Sequence, residues 1–238
     1  MQRARRLASI AVIAALGAVA LTGCRSNPST AAYVAGHSYS QDYVDGIMDE
    51  VEPLARPEML AGIRQDVVRM LVVRDVARGY AERHNISVPS VDANAFAQEN
   101  NLPPNLQYTE VVAGYEGVLR AIQQSAASVA PSEADQREVF AHITVGGRPV
   151  SGSFEDVREF LNEQQIGRAV GLRNALREAI EQADVTVNPR YGDLVFQVPV
   201  SIQQQAQSWL GVPLGDDDGL VSEVTVVQPA QPSPQQPE

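Results

Sequence analysis

The sequence of 238 residues predicts a mainly α fold with short β-prone segments at its two ends. Over most of residues 40–182, apolar side chains recur every three or four positions, which is the spacing of amphipathic helices. Residues 32–35 instead resemble a short strand that runs into a turn at Gly36, and residues 185–187 alternate as a strand does. The chain is thus predicted to be helical between two short strands.

The first 23 residues have the pattern of a bacterial lipoprotein signal peptide. Arg3, Arg5 and Arg6 precede an apolar run that extends from position 10 to position 21. This run has the length of a signal-peptide core and is too short to span a bilayer as a mature helix. We therefore expect residues 1–23 to be removed from the mature protein.

The tetrapeptide Leu21-Thr22-Gly23-Cys24 resembles a bacterial lipobox and contains the only cysteine of the chain. The resemblance implies that the thiol of Cys24 receives a diacylglyceryl group and that cleavage before Cys24 makes it the first mature residue. Acylation with palmitate or a similar fatty acid then anchors the protein, because two acyl chains hold a protein stably to a bilayer. The alternative is an ordinary secretory signal followed by a chance cysteine. We expect a lipid-anchored protein on the extracytoplasmic face of the cell membrane.

Charge and cysteine content exclude several classes of function. The formal net charge is −11, and it becomes more negative once the three arginines of the signal are removed. Such an acidic chain is unsuited to binding nucleic acid or anionic lipid head groups by charge. With Cys24 acylated no thiol remains for a disulfide, so the mature chain must fold on its core alone.

Residues 24–31 are predicted to be a polar tether that precedes the helical part of the chain. Capping residues mark where the helices begin. Ser40 is placed to cap a helix that ends near Pro53, and a longer helix is expected from Pro57 to Arg83. Ser90 or Asp92 would cap a short helix through Phe96.

Three further helices are expected in the second half of the chain. One begins at Tyr108 or Thr109 and ends near Ser125, and one begins after Ser132 and is ended by residues 146–149. Ser153 is predicted to cap the last helix, which continues to about Gln182.

The chain is expected to be less ordered after the last strand. Residues 193–227 are predicted to be a weakly structured extension, although Leu194, Phe196, Val198 and Trp209 could dock on the body. Residues 228–238 are rich in Pro and Gln and are predicted to be disordered.

Three stretches resemble the N-terminal domain of the SurA and PrsA class of extracytoplasmic chaperones. They are the leading segment 34–40 (VAGHSYS), the Arg-studded helix that ends in residues 81–88 (AERHNISV), and the closing motif 185–192 (VTVNPRYG). The resemblance covers residues 32–192. It implies a helical cradle for unfolded chains, closed by a small two-stranded pairing of the leading strand with the strand after the last long helix. Such a pairing would also explain why β-prone segments flank a helical chain.

Fuller members of this class insert parvulin prolyl-isomerase domains before the last helix. Here the stretch between Ser125 and Ser153 is too short for a further domain, since domains rarely have fewer than about 50 residues. The sequence therefore predicts no prolyl-isomerase activity.

No set of catalytic or metal-binding residues stands out. His37, His84 and His142 lie on separate elements, and none has Cys or carboxylate neighbours at ligand spacing. Asp216-Asp217-Asp218 lacks the alternating acids of an EF-hand loop. We therefore expect neither an enzyme nor a cofactor.

Methionine and aromatic side chains on the helices are candidates for contact with apolar clients, because they repack readily on varied partners. The residues assigned to client binding are Met70, Tyr80, Tyr115 and Phe140. The alternative is that they belong to the core.

The leading hypothesis is a membrane-anchored holdase or assembly factor whose partners are unfolded or newly exported proteins. The alternative is a scaffold lipoprotein of the cell envelope that binds one dedicated partner. The sequence predicts neither the identity of the clients nor the oligomeric state.

Overall fold

A computed structural model describes residues 28–202 and 206–215. The α-helices of this part are α1 (Gln41–Val51), α2 (Leu60–Arg83), α3 (Ala93–Asn100), α4 (Gln107–Ser125), α5 (Glu133–Ala141), α6 (Phe154–Val157) and α7 (Glu163–Ala183). The strands are β1 (Thr30–Val34), β2 (His37–Ser40), β3 (Thr144–Val145), β4 (Arg148–Pro149), β5 (Val185–Val187), β6 (Val195–Ile202) and β7 (Ala206–Pro213). The signal peptide, Cys24, the loop Asp216–Asp218 and residues 228–238 lie outside the described residues.

Helix α2 is the centre of the fold. It packs against α1, α4, α7 and β1, and its middle is enclosed on most sides. Val67, Val68, Leu71 and Val72 are fully buried, as expected for a helix that is apolar around most of its circumference.

The sequence located most helix starts correctly. Ser40 accepts a hydrogen bond from the backbone N–H of Tyr43, and Asp92 accepts bonds from two amides of α3. Ser132 and Asp135 form a reciprocal capping box at the start of α5. These caps satisfy amide groups that a helix cannot pair internally.

Strand β1 is the central strand of a three-stranded antiparallel sheet of order β2-β1-β5. Ala32, Tyr33 and Val34 lie opposite Val187, Thr186 and Val185, so the expected pairing of the two flanking segments is confirmed. Ala35 and Gly36 form the two-residue loop to β2 with φ angles of 48° and 91°. Two positive φ angles are typical of the tight turn that matches strand twist.

The predicted fold class is wrong. The described residues form a mixed α/β fold, in which a second antiparallel sheet of order β4-β3-β7-β6 packs on α5 and α7. The chain is therefore not a helical cradle with a small two-stranded pairing. Residues 195–213, expected to be weakly structured, supply two eight-residue strands whose inward side chains join the main core.

Two local predictions in the second half of the chain are wrong. Gly146 and Gly147 both have positive φ and connect β3 to β4 as a hairpin loop. The predicted last helix is divided in two, because Asn162 caps a new helix by accepting bonds from the amides of Gln164 and Gln165.

Candidate functional site

A cleft of about 600 Å³ lies between the C-terminal half of α2, the connector of residues 84–92 and α4. Its apolar lining includes Ala81, Ile86, Val88, Val91 and Ala113. Its charged lining comprises Arg78, Glu82 and Glu110. This volume lies within the range of about 300 to 1,000 Å³ that is typical of ligand sites. We call it the connector cleft.

The end of α2 determines the path of the connector. Asn85 takes the left-handed conformation with φ of 55°, and the amide of Ile86 donates to the carbonyl of Ala81 at 2.8 Å. This geometry stops the helix and satisfies one of its last carbonyls. The chain then passes over α4 until Asp92 begins α3.

Small residues on α4 allow the connector to approach closely. A Cβ atom added at Gly117 would lie 2.6 Å from Cγ2 of Val91, which is closer than real carbon contacts. Ala113 and Gly114 line the same side of the cleft. The depth of the connector cleft thus depends on the absence of large side chains along this face of α4.

The charged residues stand at the rim of the connector cleft. Arg78, Glu82 and Glu110 are all exposed to solvent. Arg78 and Glu82 are one turn apart on α2, and Glu110 belongs to the first turn of α4. The cleft therefore combines an apolar wall with two carboxylates and one guanidinium.

A second cleft of about 680 Å³ adjoins β1 and β5. Its lining includes Tyr33 and Thr186, which lie opposite each other in β1 and β5. It also includes Pro28, Pro189 and Arg190. Asn188 fixes this region, because its side-chain amide donates to the carbonyl of Thr30 at 2.8 Å. Pro28, which lines this cleft, is the first residue of the described part of the chain.

A polar cluster connects β2 to α2. The hydroxyl of Tyr39 donates to a carboxylate oxygen of Asp75 and accepts a bond from Nη2 of Arg74 at 2.8 Å. Burial, followed by the bond to Asp75, raises the pKa of Tyr39 to about 12. The Tyr39 hydroxyl therefore keeps its proton at neutral pH, and the cluster acts as a structural contact.

The structure does not bring the four predicted client-binding residues into one surface. Met70 is 9 % exposed within the core, and Tyr115 packs edge-on against Phe196 with ring centroids 6.3 Å apart. Burial also raises the pKa of Tyr115. Tyr80 stacks on His84 at 4.0 Å, and Phe140 packs against Phe154 at 5.9 Å. None of the four lines the connector cleft.

The three histidines are dispersed, as their positions on separate elements suggested. His37 is exposed on β2, whereas His84 lies 3.5 Å from a carboxylate oxygen of Glu178 and His142 stacks on Trp209 at 3.4 Å. In the part of the chain that the structure describes, no cluster of three or more His, Cys, Asp or Glu side chains is arranged to hold a metal ion. Within these same residues, no helix has the length and apolar character needed to cross a membrane.

The sequence did not predict the connector cleft, because residues 84–89 lie between two predicted helices and carry only a weak signal. That signal is the pair of apolar residues Ile86 and Val88 next to Pro89. No protein-family model matches the chain, and no curated protein or solved structure matches it. The geometry of the clefts therefore carries the functional argument.

Proposed function

We propose that this chain is a lipid-anchored extracytoplasmic chaperone of the holdase type, or an assembly factor, that binds apolar segments of newly exported proteins. The observation that carries the proposal is the connector cleft, with an open apolar wall provided by Ile86, Val88 and Val91. Apolar walls with few polar groups at their edge are typical of binding sites. The lipobox-like sequence before Cys24 supports the location at the membrane.

The charge of the chain fits this activity. A net charge of −11 opposes self-association, and it would keep a complex with a partly unfolded client in solution. The proposed activity requires no cofactor and no covalent step. We further propose that the chain lacks prolyl-isomerase activity, because residues 126–152 are too few to form an added domain.

Aggregation assays with three unrelated unfolded proteins test this function. The mature chain is expected to delay the aggregation of each client at a several-fold molar excess and to leave the isomerisation rate of an X-Pro peptide unchanged. Delay of one client alone would favour the scaffold that binds a single partner. Failure with all three would refute the holdase proposal.

A pair of connector variants tests whether the cleft is the site. Ser90 lines the connector cleft, so Ser90→Trp is expected to fill it and to abolish the delay of aggregation. Ser87 is an exposed connector residue that does not line the cleft, so Ser87→Trp adds the same side chain as a control. Equal activity of the two variants would place client binding elsewhere.

A further inference from the structure

The rim of the connector cleft carries an unequal set of charges. Glu82 and Glu110 line it from α2 and α4, whereas Arg78 is the one basic residue among the described residues that line it. Within residues 28–202 and 206–215, the side chains of Glu82 and Glu110 take part in no ion pair. Their charge is therefore available to a ligand that enters the cleft.

Several other charged residues of α2 form ion pairs within the chain. Arg64 pairs with Asp45 of α1, and Arg74 pairs with Asp75 at 3.0 Å. Asp66, the remaining acid of α2, pairs with Arg69 of the same helix, whereas Glu82 is left to solvent next to the apolar wall, as is Glu110 of α4.

We infer that the connector cleft selects extended apolar segments that carry a Lys or Arg side chain within two or three residues of the apolar stretch. The apolar part would lie on Ile86, Val88 and Val91, and the cation would lie between Glu82 and Glu110. This inference rests on the proposed function, because it specifies which clients the same cleft prefers.

Solvent exposure limits the strength of this selection. Exposed ion pairs are weakened by water and salt, and each contributes little. Two such contacts should improve affinity about fivefold over a neutral segment, which is enough to rank clients. The apolar contacts should provide most of the binding.

Fluorescence anisotropy with three labelled peptides tests the inference. The peptides share one alternating Val and Leu core and are flanked on both sides by Arg, Gln or Glu. The protein is the full mature chain with Cys24→Ala, which removes the need for detergent. We expect the Arg-flanked peptide to bind about fivefold tighter than the Gln-flanked one at low salt, and we expect 0.5 M salt to reduce the difference.

Charge variants locate the effect. The double variant Glu82→Gln/Glu110→Gln is expected to lose the preference, so that it binds the Arg-flanked and the Gln-flanked peptides with equal affinity. Glu52→Gln/Glu181→Gln removes the same charge at two exposed positions that do not line the cleft, and it should keep the preference.

The outcomes separate the two proposals. Equal affinity of the wild-type chain for Arg-flanked and Gln-flanked peptides would overturn the charge selection and leave the holdase proposal intact. Binding of none of the peptides would overturn both. A preference that survives in Glu82→Gln/Glu110→Gln would show that the acidic surface as a whole, and not this rim, attracts the cation, which also overturns the inference.

Discussion

Nη1 of Arg173 lies 2.5 Å from Oδ1 of Asp135, and both residues are only 6 % exposed. Arg173 belongs to α7 and Asp135 to α5, so this ion pair joins the two helices on which the second sheet packs. Glu138 extends the contact, since it lies 3.7 Å from the same guanidinium and accepts a 2.6 Å bond from the amide of Gly211 in β7. The network thereby connects the last long helix to the sheet that the sequence did not predict.

Arg173→Met is expected to lower the free energy of unfolding by about 3 kcal/mol, because it leaves the buried carboxylate of Asp135 without its cation. Urea unfolding at pH 7, followed by circular dichroism, measures the change. Arg137→Met is the matched control, since Arg137 forms an exposed pair with Glu133 and should contribute less than about 1 kcal/mol. Equal effects of the two variants would show that the buried pair has no special role.

Acid should weaken the same contact. Burial acts to raise the pKa of Asp135, but hydrogen bonds from Ser132 and Arg173 outweigh it and hold this pKa below the ordinary value. The stabilisation is therefore complete above the unfolded-state pKa, near 4, and is lost as the pH falls through the lower folded-state value.

Asp135→Asn is accordingly expected to reduce stability at pH 7 and to show a smaller further loss between pH 5 and pH 2 than the wild type does. Unfolding curves at several pH values measure both quantities. Asp156→Asn serves as the control, because Asp156 makes a similar capping bond with Ser153 at an exposed site. If Asp135→Asn loses as much stability between pH 5 and pH 2 as the wild type does, protonation of Asp135 is not the cause of the acid sensitivity.

Helix positions were predictable because their signals are local. Ser40 and Ser132 bond to amides three residues ahead, so a short window of sequence contains both partners. The pairing of β1 with β5 was also expected, although residues about 150 positions apart form it. This pairing could be predicted because the sequence contains two β-prone segments outside the helices and few other candidate strands to pair with either.

The second sheet could not be predicted from local signals of this kind. Phe196, Val198, Val200 and Ile202 are buried and alternate along β6, but Pro199 interrupts the run and argues against a central strand. In the structure β6 lies at the edge of its sheet. The missing N–H of Pro199 is tolerated there, because an edge strand pairs on one side only. Strand β6 pairs with β7. Because β7 has Gly211 and Ser208 at buried positions, its own sequence predicts a strand only weakly.

The candidate site was less predictable than the fold. Met70 and Tyr115 were chosen for their chemistry, and that chemistry also suits a core. The connector cleft depends instead on how closely residues 84–92 approach α4, which is a tertiary property. Its two free carboxylates look like ordinary surface acids in the sequence.

A second buried contact connects the first strand and helix to the segment that follows β5. The hydroxyl of Tyr191 donates to Oε1 of Gln41 at 2.6 Å, and Nε2 of Gln41 donates to the carbonyl of Thr30 at 3.2 Å. Tyr191→Phe is expected to destabilise the fold by about 1 to 2 kcal/mol, because it leaves a buried amide oxygen unpaired. The double variant with Gln41→Met should lose less than the sum of the two single changes, and strict additivity of the melting data would contradict this coupling.

The anchor gives a prediction that does not depend on the fold. Cys24→Ala should abolish labelling by an alkyne fatty acid and should move the protein from the membrane to the soluble fraction, because the apolar run alone provides no durable anchor. Fractionation of cells and a gel-based labelling assay measure the two effects. A Cys24→Ala protein that is still cleaved after Gly23 and still partitions into detergent would contradict the lipoprotein assignment.

Polar substitutions distinguish a core role from a binding role. Met70→Thr is expected to lower the free energy of unfolding by about 2 kcal/mol or more, because Met70 is 9 % exposed and lies in the main core. Val91 is 39 % exposed and lines the connector cleft, so Val91→Ser should change the melting temperature little. The binding assays should reverse this order: at temperatures where both variants are folded, Met70→Thr should still delay aggregation and Val91→Ser should not. If Met70→Thr instead loses client binding with an unchanged melting curve, Met70 is a contact residue and the binding surface lies outside the connector cleft.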